Sequence, residues 1–278
     1  MGLHRAETVR LEKNKLTSLS SNLFEGLTNL KYLLLHNNQI VHLDTNVFRN
    51  LTQLKYLFLH ENQLRSLSET LFDDLTELSD LYLQNNLISE IGENVFRRLS
   101  QLKKLALTHN TLDNLSAGAF RNLTNLEYLF LEDNRLASLN ASQFADLVNL
   151  KGLYLSYNLL AHLDKSIFNN LSQLEELALS HNRLSFILDT QLEHLFKLKT
   201  LYLNNNLLEN LTQNSLANLT NLEKLSLQGN MLSRLHPSLF RNLTRLTSLG
   251  LHENRLADLG ESLLANSRAL QILLLHAI

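Results

Sequence analysis

The pattern Leu30-x-x-Leu33-x-Leu35-x-x-Asn38-x-Ile40-x-x-Leu43-x-x-x-x-Phe48-x-x-Leu51 returns every 24 residues along this chain. It restarts at Leu54, Leu78, Leu102, Leu126, Leu150, Leu174, Leu198, Leu222 and Leu246 with no insertion or deletion. The result is ten units over residues 30–269, a partial unit over 1–29 and another over 270–278, read as a single solenoid with no terminal caps. A fixed short period of this kind points to stacked units, because one unit is too small to bury an apolar face alone. The first partial unit and all ten complete units keep the same asparagine, giving the column Asn14, Asn38, Asn62, Asn86, Asn110, Asn134, Asn158, Asn182, Asn206, Asn230 and Asn254.

The spacing has a direct physical reading. Leu33-x-Leu35 alternates with a period of two, so both leucines point inward from a short strand and their neighbours point out. Stacking one strand per unit gives a parallel sheet with rungs about 4.8 Å apart and a continuous core. The asparagine follows the strand where the chain turns inward, and its amide suits the backbone groups that a buried turn leaves unpaired. Phe24, Phe48, Phe72, Phe96, Phe120, Phe144, Phe168 and Phe240 share one column, predicting a second spine behind the sheet. Leu192, Leu216 and Leu264 replace phenylalanine in that column. The rest of each unit is too short for a long helix, so loops and brief helical turns are expected there.

These residues resemble the leucine-rich repeat family in its typical 24-residue class, and the resemblance runs through nearly the whole chain. It implies an α/β solenoid of the right-handed, curved horseshoe form. The parallel sheet would line the concave face, with loops and short helical turns on the convex face. It also implies a binding domain of the extracellular or cell-surface kind, as in variable lymphocyte receptors and Toll-like or Slit-type proteins. Glu7-Thr8-Val9-Arg10-Leu11 resembles the first repeat after an N-terminal cap, and Leu273-Leu274-Leu275-His276-Ala277 the strand leading into a C-terminal one. Members of that kind carry cysteine-rich caps at both places, whereas this chain has no cysteine. An excised array, an engineered scaffold and an uncapped relative all fit that difference.

Composition narrows the chemistry. With 25 Lys+Arg against 27 Asp+Glu the formal net charge is −2, which gives no footing for bulk nucleic-acid binding. The absence of cysteine excludes disulfides, Cys-ligated zinc and a thiol nucleophile, and 8 glycines suggest no phosphate-cradling loop. No apolar run reaches the roughly 18 residues of a membrane span. Met1-Gly2-Leu3-His4-Arg5 is not followed by the apolar stretch of a signal peptide. Ala6 stands where a myristoylation signal has Ser or Thr.

The outward positions beside the inward leucines are candidates for contact. All seven tyrosines are assigned to that face: Tyr32, Tyr56, Tyr82, Tyr128, Tyr154, Tyr157 and Tyr202, with Phe58, Phe130 and Leu34 beside them. Aromatic side chains on a rigid surface are typical interface anchors, although aromatics also suit strands. Lys31, Lys55, Lys103 and Lys104 make the early rungs basic, while Glu127, Glu132, Asp133, Glu175 and Glu176 make the middle acidic. A partner of mixed polarity fits this pattern. His36 and His60 share a column near Glu12 and Glu61, and His252 and His276 form a similar pair. Register-matched columns produce such neighbours automatically, and Gln84 follows His60, so no metal and no other cofactor is assigned. No nucleophile motif supports catalysis. Eight Asn-x-Ser/Thr sequons occur, at Asn50, Asn114, Asn122, Asn140, Asn170, Asn210, Asn218 and Asn242. The expected function is non-enzymatic recognition of a protein, or a glycan, through the concave sheet. The alternative is a structural solenoid that self-associates end to end through its terminal strands.

Overall fold

The computed structural model describes residues 3–260 and 262–276; Met1, Gly2 and Ala277, which enter the sequence readings above, lie outside them. The chain forms a solenoid of parallel strands and divides into two compact units, residues 1–135 with 145–148 and residues 136–144 with 149–278.

In the first unit the strands are β1 (Thr8–Arg10), β2 (Tyr32–Leu34), β3 (Tyr56–Phe58), β4 (Asp80–Tyr82), β5 (Glu90–Ile91), β6 (Lys104–Ala106), β7 (Asn114–Leu115) and β8 (Tyr128–Phe130). β1, β2, β3, β4, β6 and β8 pair in that order, all parallel. Paired residues are 24 positions apart, as in Val9↔Leu33, Leu33↔Leu57 and Leu57↔Leu81. The register is fixed because a slip of one residue would turn every inward leucine to water. The second unit repeats the scheme with β9 (Gly152–Tyr154), β10 (Glu176–Ala178), β11 (Thr200–Tyr202), β12 (Lys224–Ser226), β13 (Ser248–Gly250) and β14 (Ile272–Leu274).

The leucine columns close the core as the period predicts. Leu30, Leu33, Leu35 and Ile40 are 0 % exposed, and so are their equivalents through most of the array. Burying a leucine completely is worth about 1.5–3 kcal/mol, so the columns supply the main stabilisation. Behind them Phe24, Phe48, Phe72, Phe96 and Phe120 stack with ring centroids 6.1–6.4 Å apart. Leu192 and Leu216 are each 1 % exposed in the same column, while Leu264 is half-buried.

The asparagine column is a hydrogen-bond ladder in both units. Asn62 shows the unit of it: its Nδ2 donates to the Leu35 and Leu59 carbonyls, each at 3.0 Å, and its Oδ1 accepts from the Ile40 amide at 3.0 Å. One side chain thus pairs three buried backbone groups on two successive rungs. Asn182 does the same in the second unit, with Leu155, Leu179 and Leu160.

The side away from the strands consists of the loops and brief helical turns that its short segments predict. Among the described residues there is no α-helix, only 3₁₀ turns at Leu3–Arg5 and Ala141–Phe144. The eight residues from Asp44 to Leu51 instead fold as successive turns, with Val47 N–H bonded to Asp44 O and Arg49 N–H to Asn46 O. The turn at Ala141–Phe144 is capped by Asn140, whose Oδ1 accepts from the Ser142 amide at 3.1 Å while Gln143 Oε1 accepts from the Asn140 amide at 2.9 Å. β5 and β7 pair in parallel to make a second, two-stranded sheet that the sequence did not announce.

Candidate binding face on the strands

Each three-residue strand turns its middle residue, Val9 in β1 and leucine in the others, inward and its first and third residues outward. In the first unit the outward positions form two aromatic columns. Tyr32 and Tyr56 stack with centroids 4.8 Å apart and planes 4° apart. Phe58 and Tyr82 stack at 4.8 Å and 3° in the adjoining column, beyond half-buried Leu34. Centroids 4.8 Å apart match the rung spacing, so the sheet itself sets the stacking distance. Tyr128 and Phe130 lie 6.5 Å apart on one strand. Tyr32 is 41 % and Tyr128 38 % exposed, enough for each ring to present a face or edge to a partner.

The second column is interrupted by Ala106, which sits in register between Tyr82 and Phe130. The ammonium of Lys104 lies 5.3 Å from each of those two ring centroids. A cation between two ring faces is held by their quadrupoles, so Lys104 is anchored over the small residue. Sequence reading gave Lys104 a part in a basic patch; its neighbours make it a part of the aromatic column. Tyr82 also donates its hydroxyl to Asp80 at 3.3 Å. Burial, with the Asp80 charge and this bond behind it, pushes the Tyr82 hydroxyl up to about 12.

In the second unit Tyr154 donates to Glu176 at 2.7 Å, and Tyr202 stands outward on β11. Ala178 faces the position between them in register. Tyr157 is not on a strand. It lies in the turn beyond β9 with φ 56, is 51 % exposed, and stacks on His181 at 4.1 Å. The sequence reading placed it with the other tyrosines because it counted residue type without the turn. Tyr157 belongs to a row of left-handed residues that includes Asn37, Glu61, Asn85, His109, Asp133, His181, Asn205 and Glu253.

A further column, of which the sequence shows the Glu12–His36–His60–Gln84 stretch and the His252–His276 pair, runs just past the strands. It holds Glu12, His36, His60, Gln84, Thr108 and Glu132 in the first unit, and Ser156, Ser180, Asn204, Gln228, His252 and His276 in the second. His36 and His60 stack at 4.4 Å, and burial, then the neighbouring His36, pushes the His60 imidazole below its ordinary value. Glu12 is engaged by Arg10 at 2.8 Å, and Glu61 by Asn37, so no carboxylate joins the two rings. Burial raises the Glu132 carboxyl above the usual range, opposed by a 3.0 Å bond from Thr108. A carboxyl with a raised folded pKa disfavours folding once pH exceeds that of an unfolded glutamate, about 4.3. Glu132→Gln, which keeps the acceptor for Thr108, is therefore expected to raise the thermal midpoint at pH 7. The gain should vanish in acid well below that range, and a calorimetric scan at both pH values checks it.

All eight sequon asparagines are exposed, and none lies on a strand of the aromatic face. Clefts lined by Gln213, Asn214, Ser238 and Arg241, and by Thr45, Asn46, Arg49 and Asp73, lie among the turns and away from the strands.

Matches to the family described as "Leucine rich repeat" run in overlapping spans from residue 4 to residue 277. The chain belongs to the leucine-rich repeat family. Among solved structures, this leucine-rich repeat chain is similar to one in the glycosylated form of the Drosophila Toll–Spatzle complex, with TM-score 0.91 and 26% identity over 99% of this chain. It spans 38% of that chain's length. A chain of the octameric complex of Latrophilin 3, Unc5D and FLRT2 matches with TM-score 0.70 and 26% identity, covering 90% of this chain and 82% of that one. A Leptospira interrogans LRR protein matches in fold, with TM-score 0.74, 24% identity, and 98% and 78% coverage. No curated protein sequence matches the chain. No helix among the described residues is long and apolar enough to cross a membrane.

Proposed function

We propose that this chain is a non-enzymatic protein-recognition module of the extracellular or cell-surface kind, and that its partner docks on the outward face of the strands. The observation that carries this reading is the pair of stacked aromatic columns in the first unit, with Tyr32 and Tyr128 exposed at its two ends. Rings held by neighbouring rungs lose little further freedom on binding, so their contact area converts well into affinity. Similarity to chains of the Toll–Spatzle and Latrophilin 3–Unc5D–FLRT2 complexes, both protein assemblies by their descriptions, supports the protein class of partner. Tyr154 and Tyr202 offer a second, separate set of anchors in the second unit.

Interface anchors of this type typically cost about 2 kcal/mol or more on truncation. Tyr56→Ala, Tyr82→Ala, Tyr128→Ala and Tyr154→Ala are each expected to weaken the partner by about tenfold or more while the array stays folded. Arg97→Ala and Arg121→Ala are the controls. Both arginines sit away from the strands in exposed ion pairs, with Asp73 at 2.5 Å and Glu93 at 3.1 Å. Such pairs contribute little, so both variants should bind normally. Surface plasmon resonance against a partner taken from an array of secreted proteins reads the difference. Normal binding by all four tyrosine variants would move the site off this face.

A further inference from the structure

The polar column beside the strands contains atoms with no partner, and near the last two rungs they meet a carboxylate. His252 and His276 stack with centroids 4.3 Å apart, one rung from each other. Glu253 follows His252 directly and has left-handed backbone, φ 55. One ligating atom from each of the three residues lies within 4.8 Å of the other two, a grouping that no other such residues form among the described residues. His252 Nδ1 is buried and unpaired. So is Oε1 of Gln228, the preceding member of the column, which occupies room left by Gly250, where a Cβ would stand 2.6 Å from it. Two neighbouring buried polar atoms without a partner cost stability unless a ligand satisfies them.

We infer that His252, Glu253 and His276 form a binding site for a divalent transition-metal ion of the zinc class. Two imidazoles and one carboxylate are a known zinc ligand set, and leave a position for water or a partner's donor. Bonds of about 2.0–2.2 Å at tetrahedral angles need ligand atoms about 3.4 Å apart. Glu253 and His276 are exposed, so a change of rotamer at either one closes the remaining distance without disturbing the core. The site links residues that follow β13 and β14, so the ion ties the last rung, whose Ile272 and Leu274 are 52 % and 43 % exposed, to the one before it. The sequence shows the pair of histidines but not the third ligand, because the carboxylate comes from the neighbouring left-handed row.

His36 and His60 provide an internal control. They stack at nearly the same distance, 4.4 Å, and share the unpartnered Nδ1, but Glu12 and Glu61 do not complete a grouping of three ligand atoms with them. Isothermal titration of the full chain with Zn²⁺, and Co²⁺ absorption to report coordination, is expected to show one bound ion per chain. His252→Ala and His276→Ala should each weaken it by more than about tenfold, a loss that even outer partners of a metal site produce. Glu253→Gln should weaken it too, and His36→Ala should leave it unchanged. Zn²⁺ should also raise amide protection over Ile272–Leu274 in the wild-type chain, since an ion bound only by the folded state stabilises it. Absence of binding, binding that survives His276→Ala, or equal loss in His36→Ala would each overturn the assignment. This test needs no protein partner, so its outcome is separate from that of the strand-face proposal.

Discussion

Phe96→Ala is expected to lower the unfolding free energy by about 4 kcal/mol, among the largest losses any single substitution in the chain should cause. Phe96 is 0 % exposed and stacks on Phe72 at 6.1 Å and on Phe120 at 6.4 Å. Removing the ring deletes two stacking contacts and leaves a cavity whose walls, spaced by the strand ladder, have little freedom to collapse. In a solenoid each unit contacts only its neighbours, so the defect weakens two interfaces at once. Phe196→Ala is the matched control. Its ring is 50 % exposed, and its loss should change stability by no more than about 0.5 kcal/mol. Urea unfolding followed by circular dichroism distinguishes them, and equal midpoints would show that the phenylalanine spine is not structural.

Asn134→Ala should cost about 1–3 kcal/mol, the usual cost of a buried backbone group left without its partner. Asn134 Nδ2 donates to Leu107 O at 3.0 Å and Leu131 O at 3.1 Å, and its Oδ1 accepts from the Leu112 amide at 3.0 Å. Alanine takes the acceptor from the Leu112 amide and one donor from each carbonyl, while Leu107 O still accepts from Asn110 Nδ2 at 3.0 Å. Asn134→Asp keeps the shape but turns a carboxylate oxygen toward two carbonyl oxygens, and it should be at least as damaging. The outward tyrosines are untouched, so the folded fraction should bind as the wild type does. An Asn134→Ala chain that unfolds at the wild-type urea midpoint would remove the ladder from the account.

What the sequence revealed follows from repetition. Leu33 and Asn38 recur in every full unit and Phe48 in most, so a single physical argument about one unit is tested again at each rung. The inward or outward sense of each strand residue was legible for the same reason, and it placed Tyr32, Tyr56, Tyr82, Tyr128, Tyr154 and Tyr202 correctly on the strands. Features that arise between columns were not legible. The place of Lys104 between Tyr82 and Phe130 depends on Ala106 leaving space in the next column. Tyr157 was misplaced because strand length is set by where the backbone turns left-handed, which residue type does not reveal. The small sheet of β5 and β7 reflects turn-by-turn competition among short polar segments, where no periodic signal exists.

The central claim is that a protein partner covers the outward face of the strands. Hydroxyl-radical footprinting reads it most directly, since the reagent labels exposed aromatic side chains themselves. With partner bound, labelling of Tyr32, Tyr56 and Tyr128 should fall, while Phe186 and Phe196, exposed at 41 % and 50 % away from the strands, should label as before. Unchanged labelling of the three tyrosines together with protection of Phe186 or Phe196 would contradict the account.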